Sequence, residues 1–364
     1  MKKISKYLIL FLLTVFILSC REQPPVGVDG QGRITIMAMG DTSLVDTIPH
    51  FIPLSNAKVI LVSEYGTHVK MTDGNGLFDV EGVPASTYSI SVRMAHPLNP
   101  NILLVGTLRE IEINDVPFAD TIYAEQVSNT GIAINEIYAG GPLNNLFFFY
   151  DQFIELYNYS DSVKYLDGFI VMRVSGNNDG KGPGADEGDD GDIDGVTYIF
   201  KFPGSPGETN YPIYPHTFIV LAQTAVDHRK TISTSIDLSN ADWEFYNQLS
   251  STDFDNPNVP NLINIRSDRT VDFMINLVSD VIVVADGRDS VWEDGIDIET
   301  IVDGIQYKSG HTSKKTLDAR IDKSYCISPP KYGGKSMQRR EPGVDTNDGL
   351  LDWEIIPKAT PGYQ

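Results

Sequence analysis

The sequence is poor in cysteine, histidine and cationic side chains. Its 364 residues include 2 Cys, 6 His and 28 Lys or Arg against 49 Asp or Glu, a formal net charge of −21. A surface of that sign repels a phosphate backbone, so we expect no nucleic-acid partner. The six histidines are scattered along the chain, and no two of them are spaced as a pair of metal ligands.

The sequence also lacks the short signatures of common enzymes. No GxSxG, HExxH or CxxC pattern occurs. Gly334-Lys335-Ser336 looks like the end of a phosphate-binding loop, but Pro329 stands where that loop needs its first glycine. We therefore predict no catalytic residue and no enzymatic activity.

Long hydrophobic runs are absent except near residue 1. Three lysines among the first six residues precede an apolar run at residues 7–18, which is followed by Ser19 and Cys20. That order is typical of a secretion signal, and the run is shorter than the roughly 20 residues that a spanning helix needs. We predict a signal peptide at residues 1–19 and a mature chain that does not cross the membrane.

Ile17-Leu18-Ser19-Cys20 resembles the bacterial lipobox. The resemblance implies that the Cys20 thiol carries a diacylglyceryl group and that Cys20 becomes the new N-terminus; the alternative is an ordinary signal peptide with a chance cysteine. Arg21 replaces the aspartate that usually signals inner-membrane retention, which favours the outer membrane. Residues 20–32 read as a tether. Only Cys326 remains, so no intramolecular disulfide is expected, and a buried structural thiol is the favoured reading.

The composition favours an all-β fold. Glycine (31 residues) and proline (21 residues) argue against a helical bundle, and 10% aromatic residues argue against disorder. Short alternating segments separated by turn residues begin at residue 33, and a new pattern begins near residue 131. We predict two β-sandwich domains, at residues 33–127 and 128–364.

The first domain carries a turn motif. Thr72-Asp73-Gly74-Asn75-Gly76-Leu77-Phe78 is followed by Gly82-Val83-Pro84 and by the strand that begins at Tyr88. This order resembles the carboxypeptidase regulatory-like, transthyretin-like domain, although no glycine precedes Tyr88. The resemblance implies a seven-stranded sandwich that acts as a spacer or docking unit, in which the Asp-Gly-Asn-Gly run closes a tight hairpin.

The second domain resembles the lamin tail domain. The matching segments are residues 132–138 (IAINEIY), 153–158 (FIELYN), 166–171 (LDGFIV), 214–222, 301–307, 336–340 (SMQRR), Asp352-Trp353 and 359–362 (ATPG). The resemblance implies an immunoglobulin-like sandwich, which needs only about 110 residues, so long insertions are expected to decorate it. The two domains together look like an uncharacterised family of Bacteroidota outer-membrane lipoproteins.

An acidic, glycine-rich stretch at residues 176–195 is the candidate metal site. Asp190, Asp192, Asp194 and Gly195 copy the first half of an EF-hand loop, in which carboxylates at positions 1, 3 and 5 bind Ca²⁺. Position 12 is Lys201, so a complete EF-hand is excluded. A looser Ca²⁺ loop and a solvated insertion both stay open.

Two aromatic features are candidate partner-binding sites. Trp292 lies beside four acidic residues and is either part of a charged loop or a stacking platform for sugars or cationic ligands. The run Phe147, Phe148, Phe149 and Tyr150 is too aromatic for an ordinary loop, and it is either buried or a partner-binding patch.

The predicted function is binding rather than catalysis. We expect a lipid-anchored protein of the outer membrane, exposed at the cell surface, in which loops on rigid β scaffolds recognise a partner. The first-choice partner, by analogy from this location, is an outer-membrane receptor of the TonB-dependent type. The alternatives are a structural or adhesive protein that binds glycans or matrix, and an accessory of a hydrolase.

Overall fold

The computed structural model describes residues 30–43, 49–174, 191–310 and 315–364. Within these ranges the chain is nearly all β, which confirms the predicted fold class. Apart from strands, these ranges hold one α-helical turn, Gly349–Asp352, and two 3-10 turns, His228–Lys230 and Ile298–Thr300. No helix in this part of the chain is long and apolar enough to span a bilayer.

Eight strands form the first module. They are β1 (Gly32–Asp41), β2 (Phe51–Pro53), β3 (Lys58–Ser63), β4 (Gly66–Met71), β5 (Leu77–Val83), β6 (Ser86–His96), β7 (Asn99–Ile113) and β8 (Phe118–Ser128). Their order is β2-β1-β8-β7-β6-β3-β4. Strand β5 pairs with residues 32–37 of β1, whereas β2 pairs with residues 39–41 of the same strand. Strand β8 pairs first with β1 and then with β7, so it passes from one layer to the other. Alternate residues of β1, such as Ile34 and Ile36, fill the core between the layers.

The Asp-Gly-Asn-Gly run forms a tight turn, but the predicted hairpin is wrong. Asp73 Oδ1 accepts the backbone N–H groups of Asn75 and Leu77, each at 2.8 Å, and Gly76 has φ +78°. The flanking strands β4 and β5 do not pair with each other, because β4 pairs with β3 and β5 pairs with β1. The turn is therefore a corner that carries the chain from one layer to the other.

Sixteen strands form the second module. They are β9 (Ile132–Tyr138), β10 (Phe153–Asn158), β11 (Lys164–Tyr165), β12 (Ile170–Val174), β13 (Asp192–Ile193), β14 (Val196–Lys201), β15 (Pro212–Ile213), β16 (Phe218–Ala222), β17 (Trp243–Glu244), β18 (Ile263–Asn264), β19 (Ser279–Ala285), β20 (Ile296–Asp297), β21 (Ile301–Lys308), β22 (Cys326–Ile327), β23 (Ser336–Arg339) and β24 (Trp353–Ile356). Two six-stranded sheets, β17-β16-β10-β9-β23-β24 and β18-β14-β12-β19-β21-β22, pack around the largest core.

The segment at residues 166–171 is only partly a strand, because β12 begins at Ile170. The preceding residues form a turn in which Gly168 has φ +79° and Phe169 N–H donates to the Leu166 carbonyl. The Asp167 carboxylate accepts the backbone N–H groups of Asn210 and Tyr211 and holds this turn against the next loop.

The long insertions do more than decorate the sandwich. Trp243, Phe245, Leu262, Phe273 and Ile275 all belong to the core between the two sheets. Strands β17 and β18, which lie within this region, complete one edge of each sheet. Residues 223–275 are therefore part of the folding unit, because their aromatic side chains fill space that the short sandwich strands leave open.

The two modules meet through arginines of the first and an acidic turn of the second. Arg93 Nη1 donates to the Gly343 carbonyl at 3.0 Å, and its guanidinium lies 5.2 Å from the Tyr159 ring centroid. Arg109 forms an ion pair with Asp348, whose side chain is 1% exposed. The joint thus pairs a buried carboxylate with a partner from the other module.

Arg109→Ala is expected to lower the free energy of unfolding by about 1 to 3 kcal/mol, because it removes an ion-pair partner of the buried Asp348 carboxylate. Chemical denaturation followed by circular dichroism measures this change. Lys323→Ala is the matched control, since Lys323 bridges the modules to Glu125 in an exposed pair and such pairs are worth about 0 to 1 kcal/mol. Equal effects of the two variants would contradict the prediction.

Candidate partner-binding surface

The aromatic run lies in the loop between β9 and β10, and part of it is exposed. Phe147 is 81% exposed, and Leu146 (67%), Leu143 (46%) and Tyr150 (42%) accompany it. Phe148 and Phe149 are half-buried. Single exposed apolar residues are ordinary, but several in one short loop indicate a candidate interaction site. We call Leu143, Leu146, Phe147 and Tyr150 the aromatic platform.

The platform loop is fixed at its tip by hydrogen bonds. Asn145 Nδ2 donates to the Leu143 carbonyl at 2.8 Å and to Thr234 Oγ1 at 2.7 Å. Asn144 N–H donates to the Tyr332 carbonyl at 3.1 Å. Phe147 has φ +68°, a left-handed conformation that is uncommon for a bulky residue and persists only where the surroundings hold it.

Aromatic contacts support the platform from below. Phe149 stacks on Tyr150 with a centroid distance of 5.2 Å, and Phe148 makes edge contacts with Tyr150 and His228, each at 5.8 Å. His228 is buried, and Nε2 of its ring lies 2.9 Å from the Thr224 carbonyl. Burial lowers the pKa of His228, so the ring beneath Phe148 is neutral at pH 7.

The base of the loop is held by Asp151 and Gln152, which the sequence reasoning missed. Gln152 Nε2 donates to the Ala139 and Ile275 carbonyls, and its Oε1 accepts the Ile275 N–H. Asp151 Oδ2 accepts from Ser235 Oγ, and burial raises the pKa of this carboxyl to about 6. A polar pair between an aromatic run and a strand was the signal that could have identified them.

The segments that contact the platform loop carry several cationic side chains. Three segments build the surface: residues 139–152, 228–235 and 328–336. They contain Arg229, Lys230, Lys331 and Lys335, whereas their single acidic residue, Asp151, is buried. Arg229 is paired with Asp227 and Asp237, so the lysines carry most of the net positive charge. Apolar side chains with lysines on the neighbouring segments fit a partner with apolar and acidic groups.

Trp292 is only half-buried and belongs to a different cluster. It packs with Ile265 and Ile298 against the core on the outer side of β12 and β19. The Arg266 guanidinium carbon lies 3.9 Å from the Trp292 ring centroid. One ring face therefore already has a cation from the same chain, which leaves less of this side chain for a ligand.

Of the three predicted Ca²⁺ ligands, Asp192 and Asp194 lie in the described part of the chain. Cys20 and Asp190 lie outside the described residues. Asp192 and Asp194 line a recess together with Thr316 and Asp318. Within residues 30–43, 49–174, 191–310 and 315–364, no three His, Cys, Asp or Glu side chains are grouped as metal ligands. The Ca²⁺ loop stays a prediction.

The Cys326 thiol is poorly reactive in this structure. Cys326 is buried, and burial raises the pKa of its thiol well above the usual value, so little nucleophilic thiolate forms.

Comparison with known proteins gives a family match and a shared fold. A family model described as a protein of unknown function, DUF4876, matches residues 214–296. The crystal structure of a DUF4876 family protein from Bacteroides thetaiotaomicron VPI-5482 aligns with a TM-score of 0.54 and 18% identity, covering 88% of this chain and 94% of that one. At this identity the likeness shows the fold alone.

A second solved structure is more distant. It is a candidate carbohydrate binding protein from Bacteroides uniformis ATCC 8492, which aligns at 10% identity over 52% of this chain and 98% of its own. Its TM-score of 0.18 is too low to support any argument. No curated protein matches the chain significantly. The matches support the resemblance to an uncharacterised Bacteroidota family, whereas the transthyretin-like and lamin-tail-like assignments stay predictions.

Proposed function

We propose that this chain is a non-catalytic binding protein of the cell envelope, held at the outer membrane by lipid on Cys20, that docks on a partner protein through the aromatic platform. The observation that carries the proposal is the platform itself. Its exposed side chains stand on a loop fixed by hydrogen bonds at both tip and base, so little conformational entropy is lost when a partner binds.

The chemistry of the platform favours a protein over a glycan. Of the four platform side chains only Tyr150 carries a hydrogen-bonding group, whereas a sugar ring presents several hydroxyls that need such groups. Exposed aromatic anchors surrounded by charged residues are typical of the centre of a protein interface. The partner that we propose is an outer-membrane receptor of the TonB-dependent type; this part of the proposal comes from the predicted location.

Replacing the two most exposed side chains of the aromatic platform tests the proposal. Leu146→Ser/Phe147→Ser is expected to weaken binding to the receptor by about 10-fold to 100-fold, because it removes two apolar anchors. The receptor is identified by co-purification of the native lipoprotein from detergent extracts, and its affinity for wild type and variant is then measured with purified proteins.

Phe254→Ser is the matched control, since Phe254 is also exposed, at 58%, but lies in another loop. We expect this variant to bind like the wild type. Recovery of the lipoprotein alone, or equal binding of the double variant, would exclude the platform as the docking surface. If the wild type binds purified glycans and the double variant does not, the adhesive function is favoured instead.

A further inference from the structure

Two glutamates face each other inside the second module. Glu136 of β9 and Glu155 of β10 are cross-strand partners, and both are 0% exposed. Among the described residues, no ion pair involves either carboxylate. Burying two anions side by side without a cation is costly, so the arrangement needs either protonation or access to water. This requirement is independent of the proposed binding function.

The cover over this pair is a short segment, residues 359–364, which we call the strap. Thr360 donates to Glu136 through its N–H group, at 3.1 Å to Oε1, and through Oγ1, at 2.7 Å to Oε2. Gly362 N–H donates to Glu155 Oε2 at 2.6 Å. Ala359 is 2% exposed and packs in the cluster that contains Tyr138 and Phe153.

Side-chain amides hold the rest of the strap. Asn135 Nδ2 donates to both Glu155 Oε1, at 3.0 Å, and Gln364 Oε1, at 3.1 Å. Gln338 Nε2 donates to Glu136 Oε2 and to Thr360 Oγ1, at 3.1 and 2.7 Å. The strap is therefore attached mainly through groups that bind the two carboxyls, so the state of the carboxyls and the position of the strap are linked.

The electrostatic surroundings add no compensating cation. Burial raises the pKa of Glu136, and it raises the pKa of Glu155 to about 8, with the charges of Glu136 and Asp242 acting in the same direction. Glu354 lies next along the sheet, beyond Gln338, and is paired with Arg340. Lys358 and Tyr363 of the strap region are exposed. The two charges that act on Glu155, those of Glu136 and Asp242, are thus both acidic.

We propose that residues 359–364 form a pH-sensitive strap, which closes over the Glu136–Glu155 pair while the pair holds a proton and opens when both carboxyls are ionised. Opening admits water to the two anions, which stabilises the ionised pair. It also removes Ala359 from the surface formed by Tyr138 and Phe153. An apolar patch on the outer face of the sheet is then available in the open state alone.

The direction of the pH effect follows from proton linkage. The closed state binds a proton on Glu155 up to about pH 8, whereas a solvated glutamate releases its proton near pH 4.3. The opening equilibrium therefore shifts toward the open strap as pH rises between these values, by up to about 10-fold per pH unit. Above about pH 8 both states are ionised and the dependence levels off.

Hydrogen exchange of the strap amides tests this. Mass spectrometry of the peptide that covers residues 357–364, between pH 5.5 and 9 and corrected for intrinsic exchange rates, gives the opening constant at each pH. The wild type is expected to show a rise of at least 10-fold between pH 6 and 8. Glu155→Gln removes one of the two titrating groups and keeps an acceptor, so its corrected opening constant is expected to rise much less with pH than that of the wild type.

Glu354→Gln is the matched control, because it removes a half-exposed glutamate of the same sheet; we expect it to follow the wild type. Glu136→Gln provides a second variant in case Glu155→Gln does not fold, and it is expected to reduce the rise as well. A flat profile in the wild type, or an unchanged rise in both buried variants, would overturn the strap. Neither result bears on binding through the aromatic platform.

Discussion

Replacing Arg339 by leucine is expected to lower the free energy of unfolding by about 3 to 5 kcal/mol. The Arg339 side chain is 2% exposed, and its Nη2 lies 2.8 Å from Asp303 Oδ2. Nη1 lies 3.5 Å from both Asp345 Oδ1 and Asp352 Oδ2, and Nε donates to the Ile134 carbonyl. Leucine fills part of the volume but leaves three buried or partly buried carboxylates without their cation.

Arg340→Leu is the internal control, because Arg340 is the next residue and its ion pair with Glu354 is half-exposed. Urea denaturation at pH 7 should show a change of about 1 kcal/mol or less for this variant. Adding Asp303→Asn to Arg339→Leu should recover part of the loss, since it removes one unpaired charge. If Arg339→Leu were as stable as Arg340→Leu, Arg339 would have no such role.

Replacing Phe245 by alanine should cost a similar amount, about 3 to 5 kcal/mol, for a different reason. Phe245 is 1% exposed, stacks on Phe273 at a centroid distance of 4.0 Å and meets Phe200 edge to face at 5.4 Å. Alanine leaves a cavity between the two sheets that the surrounding strands cannot fill. A loss of this size in the free energy of unfolding would show that residues 223–275 stabilise the sandwich.

Phe254→Ala is the comparison for this variant, because Phe254 lies nine residues later in the same region and is 58% exposed. Its effect should be within about 0.5 kcal/mol. Thermal denaturation of both variants measures the difference. A small loss of unfolding free energy for Phe245→Ala would mean that residues 223–275 fold apart from the core. The insertions would then only decorate the sandwich, as the sequence predicts.

Local pattern predicted the strands that carry long runs of suitable residues. IAINEIY and FIELYN form β9 and β10 with the predicted bounds, and the late strand at residues 301–307 extends by one residue to Lys308. These segments succeed because β-branched and aromatic residues fill both faces of a strand that is buried throughout. Trp243 and Trp353 are likewise buried, at 7% and 4% exposed.

Sequence reasoning failed where the outcome depends on distant partners. The turn at Asp73 was identified, but the partners of β4 and β5 are set by β3 and β1, which lie elsewhere in the chain. Glu136 and Glu155 looked like ordinary strand residues, since nothing near them in sequence indicates that residues 360 and 362 will bind them. Composition identified Phe147 and Tyr150 of the platform, but it did not identify Leu143 and Leu146, whose loop is held by contacts with Thr234 and Tyr332.

The way in which β8 passes between layers has a mechanical consequence. Strands β1 and β8 run parallel and pair from Ile34–Phe118 to Gly40–Ala124. The chain enters the first module at the start of β1 and leaves it at the end of β8, so the entry and exit lie at opposite ends of this pair. Tension applied between the start of β1 and the second module would therefore shear the ladder lengthwise, so that its hydrogen bonds share the load and must break together. A ladder loaded in this way resists pulling far better than one whose strands can be unzipped one bond at a time.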